Sequence, residues 1–386
     1  MRAALCFPWL AICLFASAGD LLLRDVTVVD VKTGVETPNL SILIHGARIA
    51  ATGENVRAPR GIRIVDGSGK YVIPGLWNMH AHLPATVEEF QRLLQDGISG
   101  LRDMGSDPER AFQWRDQVDK GKLTGPHIES CLSPIGGPSS PFPALSVRTP
   151  EEARVAYDRI DQRRPDFIAV TESLPRDAYF ALIERARKWH SPVAGDVPVG
   201  VRAEEAIESR QASMEGLPAL LAACSIEAER VFKQRIRAFE QGDWFAFANF
   251  DGKLADNFNP ERADILFGRM ALLETRVVPM LANVRSSRSS ELVARMNRAG
   301  VHLLAGGADL HRELAALVAA GLTPLEALRA ATIEPARLLE TDESLGSVEE
   351  GRVADLVLLE ADPLADIANT RKVAGVVFGG KYVVGR

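Results

Sequence analysis

The chain has 386 residues, 46% apolar and 25% charged, which supports a large buried core and excludes wholesale disorder. Lysine and arginine number 45 against 51 aspartates and glutamates, and the net charge of −6 excludes an electrostatic nucleic-acid binder. Four cysteines without a Cys-x-x-Cys pair exclude a disulfide scaffold and a thiolate zinc site.

Residues 1–18 read as a secretory signal peptide. Arg2 gives the positive start, Leu5 to Phe15 the apolar stretch, and Ala16-Ser17-Ala18 the small-residue cleavage site. The apolar run is shorter than the roughly 20 residues that a spanning helix needs. The expectation is a secreted or periplasmic chain, free of the membrane after cleavage. Cleavage leaves Cys131 and Cys224, either paired or buried as small hydrophobes.

Short β-rich runs follow at Leu22 to Asp30, Leu40 to His45, Gly46 to Ile49 and Arg63 to Asp66. The C-terminus repeats that texture at Ala354 to Leu359, Val373 to Phe378 and Tyr382 to Val384. Between these ends, strand-like runs fall at 71–79, 98–103, 126–132, 166–171, 192–197, 211–215, 276–281 and 300–306, with helical pattern after most of them. Three helix starts carry a threonine cap with a glutamate three residues on: Thr86 with Glu89, Thr149 with Glu152, and Thr323 with Glu326. Alternating strand and helix with eight strands predicts an α/β fold, a (β/α)₈ TIM-type barrel over 74–343. The segments 19–73 and 344–386 pair into a small discontinuous β-sandwich domain formed by both chain ends.

The segment most suggestive of chemistry is Pro74-Gly75-Leu76-Trp77-Asn78-Met79-His80-Ala81-His82. Residues two apart on a strand point the same way, so His80 and His82 can aim two imidazoles into the barrel. That suits a Zn, Mn or Fe ion; two hydrogen-bonded barrel histidines are the equal alternative. Glu172 and Glu215 fall at strand ends, as acid or base or as solvated carboxylates. His311 reads as a cap, and His45, His127, His190 and His302 as structural. Trp244, Phe245, Phe247 and Phe250 line a cleft or pack a helix on the barrel.

PGLWNMHAHL resembles the metal-binding first strand of the amidohydrolase superfamily, in its imidazolonepropionase-like, secreted, prolidase-like branch. The resemblance extends through Gly97 to Gly105, Leu174-Pro175-Arg176, Ala320 to Leu328, Ala331-Thr332, Pro335 to Leu339, Gly351 to Val357 and Asp362-Pro363-Leu364. It implies a metal-dependent hydrolase of an amide or other C–N bond, with two metals and six protein ligands. Against that pattern, Ala169 stands for the bridging lysine, Asp196 and Gly216 for two histidines, Ala308 for the eighth-strand aspartate and Pro138 for a loop histidine. Asp103 matches a position that is structural in the family.

Two readings follow. In the first, His80, His82, Asp196 and Asp309 hold one divalent metal, with Asp196 or Asp309 as the catalytic base. For Asp309 a helix cap is the competing role. In the second, the chain holds no metal and is a pseudoenzyme that binds a small ligand or partner at the barrel mouth. A surface-interaction role on a borrowed fold ranks third. The partner expected is a small-molecule substrate or ligand, and whether the chain forms a homo-oligomer stays open.

Overall fold

The computed structural model describes residues 20–141, 143–242, 257–283 and 287–384. The segment expected to be a signal peptide, residues 1–18, and the aromatic run from Trp244 to Phe250 lie outside the described residues. Strands from both chain ends form one eight-stranded sheet. Its N-terminal members are Leu21–Val29, Glu36–His45, Arg48–Gly53, Arg63–Asp66 and Tyr71–Pro74. Its C-terminal members are Leu356–Leu359, Val373–Phe378 and Lys381–Val384. The two ends meet where Leu356–Leu359 runs antiparallel to Tyr71–Pro74. Alternating residues such as Leu21, Leu23, Val26, Ile42, Ile44, Leu356 and Leu358 make this sheet's own apolar core.

The run expected at 71–79 is two strands. Gly75 divides it: its N–H donates to the Asp355 carbonyl, and a Cβ there would sit 2.1 Å from Ser99 Oγ. Tyr71–Pro74 therefore stays in the terminal sheet, while Leu76–Ala81 enters the barrel. Parallel pairing continues to Ile98–Asp103 and His127–Ser130. Asp166 N–H donates to the Ser130 carbonyl and carries the wall onward. Ile168–Val170, Val193–Gly195, Ser213–Glu215 and Arg276–Val278 follow in parallel. The eighth position is a single bridge from Val277 to Leu303, and Met79 N–H donating to the Ala305 carbonyl closes the circle. The chain thus has the eight-stranded barrel expected, with its helices outside.

The caps hold the helix entries. Thr86 and Thr323 form reciprocal capping boxes with Glu89 and Glu326. Thr149 accepts from Glu152 N–H, but the Glu152 carboxylate reaches Arg148 N–H instead. Thr323→Ala is expected to cost about 1 kcal/mol, because it orphans the Glu326 N–H and frees the Glu326 carboxylate. A urea midpoint that does not move would show that packing alone fixes this helix. Cys131 and Cys224 are both unpaired and buried. Among the described residues, no helix is long and apolar enough to cross a membrane.

Candidate functional site

His80 ends the first barrel strand, and its neighbours decide what it can do. Its Nδ1 lies 2.9 Å from Glu215 Oε2. Glu215 ends a strand on the far side of the barrel and is 5% exposed. Its other oxygen accepts from Arg102 Nη2 at 2.5 Å and from Ser213 Oγ at 2.9 Å. Arg102, 2% exposed, makes two further bonds: Nη1 donates to Ser213 Oγ and Nε to the Met79 carbonyl. Burial pushes the Glu215 carboxyl up, but Arg102, His80 and Ser213 outweigh it and hold the group below its usual range. An ionised carboxylate only accepts, so Nδ1 of His80 carries the proton that it donates. Nε2 of His80 is then the ring nitrogen without a hydrogen bond among the described residues.

His82 is exposed, with its ring edge-on to His80 at 6.0 Å between centroids. Burial and then the neighbouring His80 lower its pKa. Asp196 follows its strand, and Oδ2 accepts from Glu172 N–H at 3.2 Å. Burial first, then the like charge of Glu172, pushes Asp196 up to about 7, with His80 opposing. Burial also raises Glu172, against the pull of Arg235. Arg235, on the helix Ala228–Glu240, is buried. Arg235 also lines a cavity of about 650 Å³, with Val201, Arg202 and Phe232 among its walls.

The four-ligand set expected from the sequence is not brought together. Asp309 caps the helix Leu310–Ala319, accepting from Arg312 N–H. Both of its oxygens accept from Arg371 Nη2 at 2.8 Å. Burial pushes its carboxyl up, but Arg371 and the cap outweigh it and hold it below its ordinary value. A helix N-terminus and a guanidinium both stabilise the charged form of this aspartate and hold it where it caps the helix. Of the roles weighed for Asp309, the helix cap is the one that its hydrogen bonds carry. Among the described residues, no group of three or more His, Cys, Asp or Glu side chains could hold a metal ion, and this includes His80, His82 and Asp196.

The substituted positions explain the shortfall. Ala169 is buried among Met104, Cys131, Phe167 and Ala194, an apolar cluster. Gly216 has φ +73 and no side chain to offer. Ala308 is exposed beside the turn at Gly307, whose N–H and carbonyl are both bound by Asn78. Asp103 is structural: it accepts from Ser106 and Ser130. His311 is spent on Thr370 Oγ1 and the Asp96 carbonyl. His45, His127 and His302 each pair with a carboxylate away from the mouth.

Comparison with known proteins agrees with the architecture. The sequence model of the Amidohydrolase family matches residues 279–383. A solved Xaa-Pro dipeptidase with bound methionine superposes with a TM-score of 0.73 at 18% identity, over 95% of this chain and 100% of that one. Molinate hydrolase superposes with a TM-score of 0.73 at 20% identity, over 96% and 95%. Residues 279–383 thus match the Amidohydrolase family, and the whole chain shares the fold of these solved hydrolases. Among curated relatives, adenine deaminase 3 of Rhizobium meliloti is 24% identical over 88% of this chain and 54% of its own. A dihydroorotase of Geobacter metallireducens is 34% identical over 22% of this chain and 19% of its own. The chain thus spans between a fifth and about half of the length of these curated relatives.

The superfamily generally uses divalent metals, and the donors here do not fit such a centre. A pair of metals about 3.5 Å apart needs a bridging group and several ligands each. Ala169, Gly216 and Ala308 supply none, and Asp309 is engaged elsewhere.

Proposed function

We propose that this protein is an exported, non-hydrolytic member of the superfamily, which binds a small polar ligand at the barrel mouth. The observation that supports it is the closed Arg102–Glu215–His80 network. Arg102 and Glu215 at the base of the mouth are paired with each other, while three positions that would have held metals, Ala169, Gly216 and Ala308, carry no donor side chain. Above this base, Glu172, Asp196, His80 and His82 leave polar groups open to solvent, which is enough to orient a ligand without turning it over.

The competing reading is hydrolysis of a C–N bond, as in the amidohydrolases that the fold resembles. One observation favours it: the Glu215–His80 hydrogen bond fixes the ring, as a carboxylate on the far nitrogen of a metal-ligating histidine does. The two readings part in one experiment. The purified mature chain and His80→Ala are loaded with Zn, Mn and Fe, dialysed, and analysed for metal beside a dipeptide and cyclic-imide hydrolysis panel. The expected result is well under one metal per chain and no turnover that depends on His80. Retention of about one metal per chain, lost in His80→Ala together with a chelator-sensitive hydrolysis, would overturn the proposal.

A further inference from the structure

A second cavity, of about 250 Å³, opens at the other end of the barrel. Its walls come from where the strands begin. Asp166 and Phe167 immediately precede Ile168–Val170, Pro192 precedes Val193–Gly195, and Ala212 precedes Ser213–Glu215. Glu129 lies level with them, because its neighbour Ser130 accepts from Asp166 N–H. His80, Asp196 and Glu215 lie at or beyond the ends of their strands, so the two openings face opposite ways. Phe167 and Ala194 are the buried floor, and Leu338 and Leu339 form a half-buried apolar side.

The charges in this cavity do not cancel. Arg102 reaches its floor but is neutralised by Glu215. Asp166 is bound by Arg115 and by Ser130 N–H. Among the described residues, no donor is hydrogen-bonded to the Glu129 carboxylate. Glu340 adds a further, exposed carboxylate to the lining, as His190 adds an exposed imidazole. Burial first, then the like charge of Asp166, pushes Glu129 up to about 7, with Arg115 and His127 opposing. A carboxylate held half-buried without a donor costs free energy that a bound cation would return.

We propose that this cavity is a binding site for a small organic cation, with Glu129 holding an ammonium group and Leu338, Leu339 and Phe167 its apolar body. Charge selects the sign of the ligand, since the floor's one guanidinium is already paired. Size selects a small one: the cavity falls below the roughly 300–1,000 Å³ typical of drug-sized ligands. The apolar wall selects an amine with a hydrocarbon part over a bare metal ion or ammonia. This site is independent of the barrel mouth, and its success or failure leaves the reading of the mouth untouched.

Benzylammonium is the probe, titrated into the full mature chain at pH 8 by calorimetry and by methyl NMR of labelled leucines. The expected result is saturable one-to-one binding that shifts the Leu338 and Leu339 methyl signals. Neutral benzyl alcohol is expected to bind at least about tenfold more weakly, and Glu129→Gln to weaken benzylammonium by a similar factor. Ala212→Leu, which fills the cavity from the opposite wall, is expected to abolish binding. Should that variant not fold, the wild-type leucine shifts and Glu129→Gln still decide. The proposal is overturned by an absence of saturable binding or by equal affinity in Glu129→Gln. It is also overturned by binding that survives Ala212→Leu and is lost in Asp196→Asn, which would place the amine at the mouth.

Discussion

Glu215→Ala is expected to destabilise the protein by about 3–5 kcal/mol, because it leaves a buried guanidinium without its charged partner. Arg102 is 2% exposed, and its partners besides Glu215 are a serine hydroxyl and a backbone carbonyl, neither of which carries charge. His80→Ala is expected to cost less, about 1–2 kcal/mol, because Glu215 keeps both Arg102 and Ser213. Urea denaturation of the two variants checks the order. The double variant Arg102→Met with Glu215→Leu is expected to recover much of the loss, since a buried pair replaced by apolar groups of similar size is often close to neutral. Equal midpoints for Glu215→Ala and wild type would show that the network is not holding the barrel interior.

The same pair sets an acid limb. The Glu215 carboxyl is held below its ordinary value in the folded chain. A depressed carboxylate contributes stability that is fully present above the unfolded value and is lost as pH falls through the folded one. Wild type is therefore expected to lose stability steeply below the normal glutamate range. The Arg102→Met, Glu215→Leu protein is expected to have a shallower limb there.

This network shows where reading the sequence strand by strand stops. The histidine pair, the barrel strands and the three threonine caps were legible because each rests on residues close in sequence, with a period of two or a spacing of three. Glu215 was legible only as a carboxylate at a strand end, and Arg102 only as part of a matching segment. Their contact joins residues 113 apart in sequence, across the inside of a closed barrel. The direction of Asp309 was equally hidden, because Arg371, 62 residues on, competes for it. The break at Gly75 has a similar cause: a continuous apolar run gives no sign that the chain passes from one sheet to another. The absence of donors at 169, 216 and 308, by contrast, was plain from residue identity.

Asp196→Asn is expected to stabilise the protein above pH 7, and this is the expected result with the most bearing on function. Asp196 moves from an ordinary 3.8 up to about 7, because burial penalises its charge and Glu172 repels it. A raised carboxyl reverses the sign worked out for Glu215. Between about pH 4 and 7 the folded chain holds a proton that the unfolded chain releases, so stability falls as pH rises through that window and stays low above it. At about 1.4 kcal/mol per unit the full penalty is on the order of 4 kcal/mol, and partial access to solvent reduces it to about 2. Asparagine keeps the acceptor for Glu172 N–H and carries no charge to bury. Its variant is expected to show a flat profile over that window and to gain about 2 kcal/mol at pH 8. A profile parallel to wild type would mean that Asp196 is hydrated and free of strain. Glu172→Gln supplies the control, because removing the repelling charge is expected to recover part of the same gain. A carboxylate kept at such a cost beside a histidine pair fits the ligand-binding role proposed for this end of the barrel. If Asp196→Asn is both more stable and unable to bind whatever occupies the mouth, stability and function are being traded at this one residue.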